Sequence, residues 1–371
     1  MMDRKDNQTI NAIQILRGLA ALSVVLYHYG FYIIPGDGKI SDRFFSWGGI
    51  GVDLFFVISG FIMVIVTNHS EPGFNTSKRF IINRLSRILP VYYVILFITF
   101  LTGGAMSTFH YSEKVSNLIS AITFTPYVHE TAPMYILSNG MFNIRWTLNF
   151  ELYFYFAFAL CLLCKNKLLP LLTWFLAPLF LCLLITGDIT LSTKGYNFNN
   201  VYIELITNPI ILEFGFGVLT GLLYLHLKKR NYSPHILISL FIIAAITLGV
   251  STKILTMYNL LTGIAFSALV LTLSLSDHFF SKAWSKKLVY LGNISFSLYL
   301  IHNPLANFIS KKVEKYIDNG MHNTFGVIVM LVAAILAAHI SHKYLEIRLS
   351  KLTKAWLESV FFRKPILTKP L

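Results

Sequence analysis

The sequence predicts an all-α integral membrane protein, a bundle of about ten transmembrane helices with the N and C termini cytoplasmic. Three observations carry that reading. The 371 residues are 55% hydrophobic and only 13% charged, where soluble domains average about 25% charged residues. The apolar residues lie in blocks of about 20, the length that crosses a hydrocarbon core. Lys and Arg are spread unevenly over the polar segments between those blocks.

The first block, Ile13–Ile34, is long enough to span and has no small-residue cleavage site, so a retained helix is expected there. Further spans follow at 48–67, 88–104, 147–164, 168–186, 201–226, 235–251, 254–275, 289–309 and 324–345. An even number of crossings puts both chain ends on one side. With the N-terminus inside, only Lys39, Arg43, Lys114, Arg145, Lys194, Lys253, Lys311, Lys312 and Lys315 of the 31 Lys and Arg fall in outer segments. The positive-inside rule therefore assigns both termini to the cytoplasm. Residues 1–346 read as one membrane domain, and 347–371 as a basic cytoplasmic tail. That tail carries Trp356, Phe361 and Phe362 and is expected on the inner membrane surface. One outer connection, Gly104–Arg145, is far longer than an ordinary loop. Its moderately apolar stretch, Val115–Thr125, is too short to span, so an ordered cap or re-entrant piece is expected.

The net charge of +14 fits topology and anionic lipid at the inner leaflet. No basic soluble domain or motif points to nucleic acid. Three cysteines make no disulfide framework. Cys161-Leu-Leu-Cys164 lacks a second ligand pair, and His339 and His342 lack acidic or cysteine partners, so no metal and no permanently bound cofactor is expected. Walker, dinucleotide-binding, Gly-x-Ser-x-Gly and His-Glu-x-x-His patterns are absent from the sequence.

Ionisable groups inside a membrane are costly, so each is a functional candidate. Arg17 and His28 are eleven residues apart on the first helix, which places them about 16 Å apart along one face. Snorkelling to headgroups is the competing reading of Arg17. Asp53 lies about a turn inside the outer boundary of the second span, where a lone carboxylate must pair or be protonated. Ser59 and Gly60 follow on that span, and Gly60 lets either a backbone or a ligand come close. Arg84 and Arg87 share a face at the cytoplasmic mouth and suit phosphate. Thr147 and Glu151 share a face of the fourth span, which opens at Trp146 and continues to Tyr153. Trp146 also fits an interfacial belt. Ser295, Tyr299 and His302 share a face of the ninth span. Glu213 lies near mid-depth of the sixth, above the packing pair Gly217 and Gly221. Glu346 ends the last span near the level of Arg17, and a structural ion pair is its leading alternative.

By depth these groups form two layers. The inner layer is basic, with Arg17, Arg84 and Arg87 beside Glu346. The outer layer holds His28, Asp53, Glu151 and His302. Such a protein could hold a phosphate-bearing donor at its inner mouth and present the far end to a base deeper in.

These residues resemble the membrane-bound acyltransferase-3 family. The likeness rests on Arg17 with ten residues before His28, the Gly-Val-Asp-Leu-Phe-Phe-Val-Ile-Ser-Gly-Phe run from Gly51, and the Arg-Leu-x-Arg-Ile-x-Pro run from Arg84. It also rests on the Trp-Thr-Leu-x-x-Glu run from Trp146, the Ser-x-Ser-Leu-Tyr-Leu-x-His run from Ser295, and Glu346. Thr147 stands where the family commonly has serine, and Glu346 is followed by Ile-Arg rather than a basic residue and proline. The resemblance implies an O-acyltransferase that moves acetyl from acetyl-CoA to hydroxyls of lipid-linked or surface polysaccharide in a bacterial inner membrane. It is closest to the exopolysaccharide and O-antigen type without the C-terminal esterase-like domain. It implies His28 as catalytic base and Arg17 as an acyl-CoA ligand. Asp53 or Glu151 would then orient the imidazole. Arg84, Arg87, Ser59 and Gly60 would help to hold the donor. Trp146, Thr147, Tyr153, Tyr299, His302 and Glu346 would line or support the site. A proton-coupled exporter of sugars or lipids is the competing class, and a non-catalytic scaffold leaves the outer polar layer unexplained.

Overall fold

The computed structural model describes residues 9–33, 45–282 and 285–362. Ile34, the predicted end of the first span, lies outside them. So do Arg4, Lys5, Lys39, Arg43, Arg363, Lys364 and Lys369 of the charge comparison.

The described residues form helices and no strand. Helix α1 is Asn11–Gly30. A 3-10 turn, Ser46–Ile50, leads into α2, Gly51–Thr67, and α3 is Phe74–Thr102. Two short helices, α4 (Ala105–Thr108) and α5 (Ser112–Thr123), precede α6 (Trp146–Cys161) and α7 (Leu168–Thr186). Then come α8 (Val201–Thr207), α9 (Ile211–Lys229), α10 (Ile236–Ser251) and α11 (Leu260–Leu275). The chain ends through α12 (Lys286–Asn293), α13 (Ser295–Glu314), α14 (Thr324–Ser341), a π-helical stretch at His342–Leu349, and α15 (Ser350–Phe361). Side-chain oxygens of Asn200, Asn259 and Asn323 accept backbone N–H groups at the starts of α8, α11 and α14, the usual role of asparagine there.

Among the described residues the predicted spans lie largely in helices, those at 201–226 and 289–309 each across two. Among the described residues, six helical stretches are long and apolar enough to cross a membrane: Asn11–Gly30, Ser46–Thr67, Phe74–Thr102, Leu168–Thr186, Val201–Lys229 and Thr324–Phe361. Helices α10 and α11 are apolar but shorter. The sequence places the third span at 88–104, yet α3 starts at Phe74. Hydropathy marks only the part inside lipid, whereas the backbone ladder continues through Lys78, Arg79, Arg84 and Arg87. The predicted span at 201–226 is broken at Asn208, whose extended ψ of 127° is the conformation favoured before Pro209.

Helices α2 and α9 cross at near contact. A Cβ on Gly60 would fall 2.0 Å from Phe214 O, and one on Gly217 would fall 2.0 Å from Val57 O. Gly60 is thus filled by a neighbouring backbone, and the expectation that it contacts a donor is corrected. Beside this crossing, Phe56, Phe154 and Phe214 form an aromatic core, with ring centroids 4.6 Å (Phe56–Phe214) and 4.5 Å (Phe154–Phe214) apart. It locks α2, α6 and α9 together.

The long connection before α6 is an ordered cap. Arg145 is fully buried and donates to Met141 O at 3.1 Å, Phe142 O at 3.2 Å and Ser120 Oγ at 2.9 Å. A buried guanidinium needs such partners, and these tie the cap to the start of α6. At the other end of the bundle, α15 packs against the first turns of α3, where Lys78 Nζ donates to Phe361 O at 2.8 Å.

Candidate active site

Helices α1, α2, α6 and α13 line two neighbouring cavities, and α3 adds to the first. The first is narrow, about 90 Å³, and lies at the arginine end. Arg17, Arg84 and Arg87 line it together with Ser59, Thr147, Glu151, Tyr155 and Ser295. Its remaining walls are apolar, chiefly Phe55, Phe56, Ile62 and Met63. Arg17 Nη1 donates to Gln14 Oε1 at 3.1 Å. Arg84 lies over the rings of Phe80 and Tyr155, at 5.5 and 5.6 Å from their centroids. Such stacking holds a guanidinium in place while leaving its N–H edge available. Glu151 accepts from Tyr155 OH and from Ser59 Oγ, the latter at 3.3 Å. Ser295 Oγ is buried and has no hydrogen-bond partner among the described residues.

Glu346 stands behind this cavity. It accepts from Ser297 Oγ at 3.1 Å and His342 Nδ1 at 2.9 Å, and its other oxygen is 3.8 Å from Arg87 Nη2. The structural ion pair is therefore the arrangement observed, and Glu346 orients Arg87.

The second cavity, about 270 Å³, holds His28. Trp146, Tyr27, Met257, Tyr258, Ser138 and Asn143 also line it. Trp146 is buried, 5% exposed, and so belongs to this wall rather than to a lipid-facing belt. Val52 and Tyr299 line both cavities. Tyr299 OH donates to Ile144 O at 3.1 Å and lies 2.9 Å from Thr147 Oγ1. These groups form the partition between the arginines and the histidine.

Val24 O and His302 together fix the tautomer of His28. His302 Nδ1 is 3.2 Å from Leu298 O. A carbonyl only accepts, so Nδ1 carries the proton and Nε2 is bare. That Nε2 is 3.2 Å from His28 Nδ1, which also lies 2.9 Å from Val24 O. His28 Nδ1–H is the shared donor, assigned from the network, and His28 Nε2 is left as an open base.

Three expectations are corrected here. Asp53 does not pair with His28. It is fully buried and accepts from the backbone N–H of Tyr258 at 3.1 Å and Asn259 at 3.0 Å, which pins the segment that carries Tyr258. Glu151 belongs to the arginine cavity and makes no bond to the imidazole. Tyr153 faces α7, where its OH accepts from Trp174 Nε1 at 2.9 Å. Of the weaker sequence patterns, His339 bonds to Tyr290, and Glu213 is buried beside Gly263.

Sequence reasoning missed Tyr155 although it lies four residues after Glu151, a spacing that brings side chains together on a helix. It also missed Ser138, Asn143 and Tyr258. These are outside long periodic helices and carry no pattern.

Residues 10–340 match the acyltransferase-3 family, described as an acyltransferase domain. The chain is 31% identical over 277 residues to the exopolysaccharide production protein ExoZ of Rhizobium meliloti, which covers 72% of this chain and 79% of that relative. It is 25% identical over 382 residues to the peptidoglycan O-acetyltransferase OatA of Listeria monocytogenes, covering 94% of this chain and 57% of that protein. The chain therefore spans little more than half of the latter's length. No solved structure matches it. With the family matched over almost its whole length, this multi-pass membrane chain belongs to the acyltransferase-3 family and is an acyltransferase.

Proposed function

We propose that the chain moves acetyl from acetyl-CoA to a hydroxyl of a lipid-linked or cell-surface polysaccharide, of the exopolysaccharide or O-antigen kind. The carrying observation is the contact of the two cavities across Val52 and Tyr299. One offers guanidinium groups for phosphates, the other an open imidazole nitrogen. The names of the two relatives support a polysaccharide acceptor.

In this reading the CoA phosphates bind Arg17, Arg84 and Arg87. The pantetheine arm threads the narrow apolar cavity, where an amide of the arm would satisfy Ser295 Oγ. The thioester passes Tyr299 to reach His28. His28 Nε2 takes the proton of the acceptor hydroxyl while that oxygen attacks the thioester carbonyl. The new C–O bond forms and the C–S bond breaks. The CoA thiolate leaves and takes up the proton from the imidazolium. His302 keeps His28 Nδ1–H engaged throughout. We place the arginine end in the cytoplasm of a bacterial inner membrane, because most Lys and Arg fall on that side. All ten predicted spans are then crossings, and both termini lie inside.

The test is mass spectrometry of the surface glycan in a deletion strain complemented with wild type or His28→Ala. Wild type should restore acetyl esters, and the variant should leave the glycan exported but unacetylated. Full restoration by His28→Ala removes the proposed base. Loss of the glycan itself from the deletion strain would instead favour an exporter.

A further inference from the structure

A third cavity opens at the histidine end and is used by none of the steps above. It measures about 440 Å³, within the range of ligand pockets, roughly 300–1,000 Å³. The cap, with α5 and the 137–143 segment, forms one wall, and α13 forms the other. Its chemistry contrasts with that of the arginine cavity. Asn139, Asn143, Asn303 and Asn307 face it, along with Phe308, and no arginine does. A carboxamide both donates and accepts, which matches a run of vicinal hydroxyls, while an aromatic face matches the apolar face of a sugar ring. The cavity's charged lining is mixed, with Lys114 and Lys311 beside Glu113 in place of a cluster of guanidinium groups.

Position strengthens the point. Asn143 lines both this cavity and the His28 cavity. Asn303 Nδ2 donates to Asn143 Oδ1 at 2.8 Å, and Asn303 directly follows His302, the partner of His28. The helical turn that sets the base therefore also builds the wall of the groove. Beneath it, Asn117 Oδ1 is buried and accepts no hydrogen bond among the described residues, an open acceptor of the kind a hydroxyl or water would satisfy.

We infer that this asparagine-lined groove between the cap and α13 is the acceptor site, holding a short stretch of glycan whose reacting hydroxyl reaches His28 past Asn143. This rests on the reading of the chain as a polysaccharide acetyltransferase and names where that acceptor binds. Asn139, Asn307 and Phe308 are exposed on the rim, so truncating them removes recognition without opening the core.

The experiment uses the full chain in lipid nanodiscs with acetyl-CoA. The acceptor is the surface polysaccharide of the encoding strain, stripped of esters by mild alkali. The triple variant Asn139→Ala, Asn307→Ala, Phe308→Ala should raise the KM for polysaccharide at least tenfold, with the KM for acetyl-CoA within twofold of wild type. The donor constant reports an intact fold. An unchanged polysaccharide KM, with transfer still abolished by His28→Ala, overturns the groove and leaves the function standing. Failure of wild type to acetylate the polysaccharide overturns the functional reading, and this inference with it.

Discussion

The two cavities that meet at Tyr299 are built in opposite ways. The arginine cavity is narrow and charged, and its lining comes from the helices α1, α2, α3, α6 and α13. The histidine cavity is wider, carries no arginine, and takes Ser138, Asn143, Met257 and Tyr258 from segments between long helices. A donor common to many acyl transfers can be held by fixed charges on rigid helices. An acceptor that differs between family members is better met by loops, which change without disturbing the bundle. The partition at Val52 and Tyr299 should therefore divide donor binding from base chemistry, and variants on its two sides should fail in different kinetic constants.

The largest effect is expected from His302→Leu. It removes one of the two acceptors of His28 Nδ1–H, leaving Val24 O alone to orient the ring. A positioned general base contributes about 10²- to 10⁴-fold, so kcat should fall on the order of 100-fold, with the acetyl-CoA KM little changed. His302→Gln keeps an acceptor near the position of Nε2 and should recover most of that loss. Equal damage by Leu and Gln would show that His302 is only packing. Arg17→Ala should do the reverse. Hydrogen bonds to charged groups contribute about 1.5–3 kcal/mol, so the acetyl-CoA KM should rise at least about tenfold while the polysaccharide KM stays put. If Arg17→Ala lowers kcat and leaves the donor KM unchanged, the division at Tyr299 is wrong.

What could be read from sequence follows the same line. Relations within one helix were legible from spacing alone: Arg17 with His28 and Thr147 with Glu151 line the cavities, and Tyr299 shares a face with His302, which bonds to His28 behind them. Partners across helices were not. Asp53 demanded a partner, but its partners are the backbone N–H groups of Tyr258 and Asn259, over 200 residues away, and every residue but proline offers that donor. The cap was expected as an ordered piece, yet no periodicity showed that Asn143 would face two cavities. The third span was found, but its first turns were not, because hydropathy does not register a helix that continues into water.

Gly60 gives the smallest kinetic effect and the sharpest choice between two readings of one residue. A small residue beside Ser59 fits a donor arm or a helix crossing equally well in sequence. In the fold its missing side chain is replaced by the carbonyl of Phe214, 2.0 Å from where a Cβ would sit. That neighbour is backbone, so it cannot swing aside, and Gly60→Ala must push α9 away from α2. Overpacking of this kind costs about 1–3 kcal/mol. The apparent melting temperature in nanodiscs should therefore drop, while the acetyl-CoA KM of the folded fraction changes less than twofold, because the strain falls on the α9 side of α2. A donor KM raised tenfold at an unchanged melting temperature would mean that the donor, not α9, needs the glycine. The arginine cavity would then reach further along α2 than its lining residues indicate.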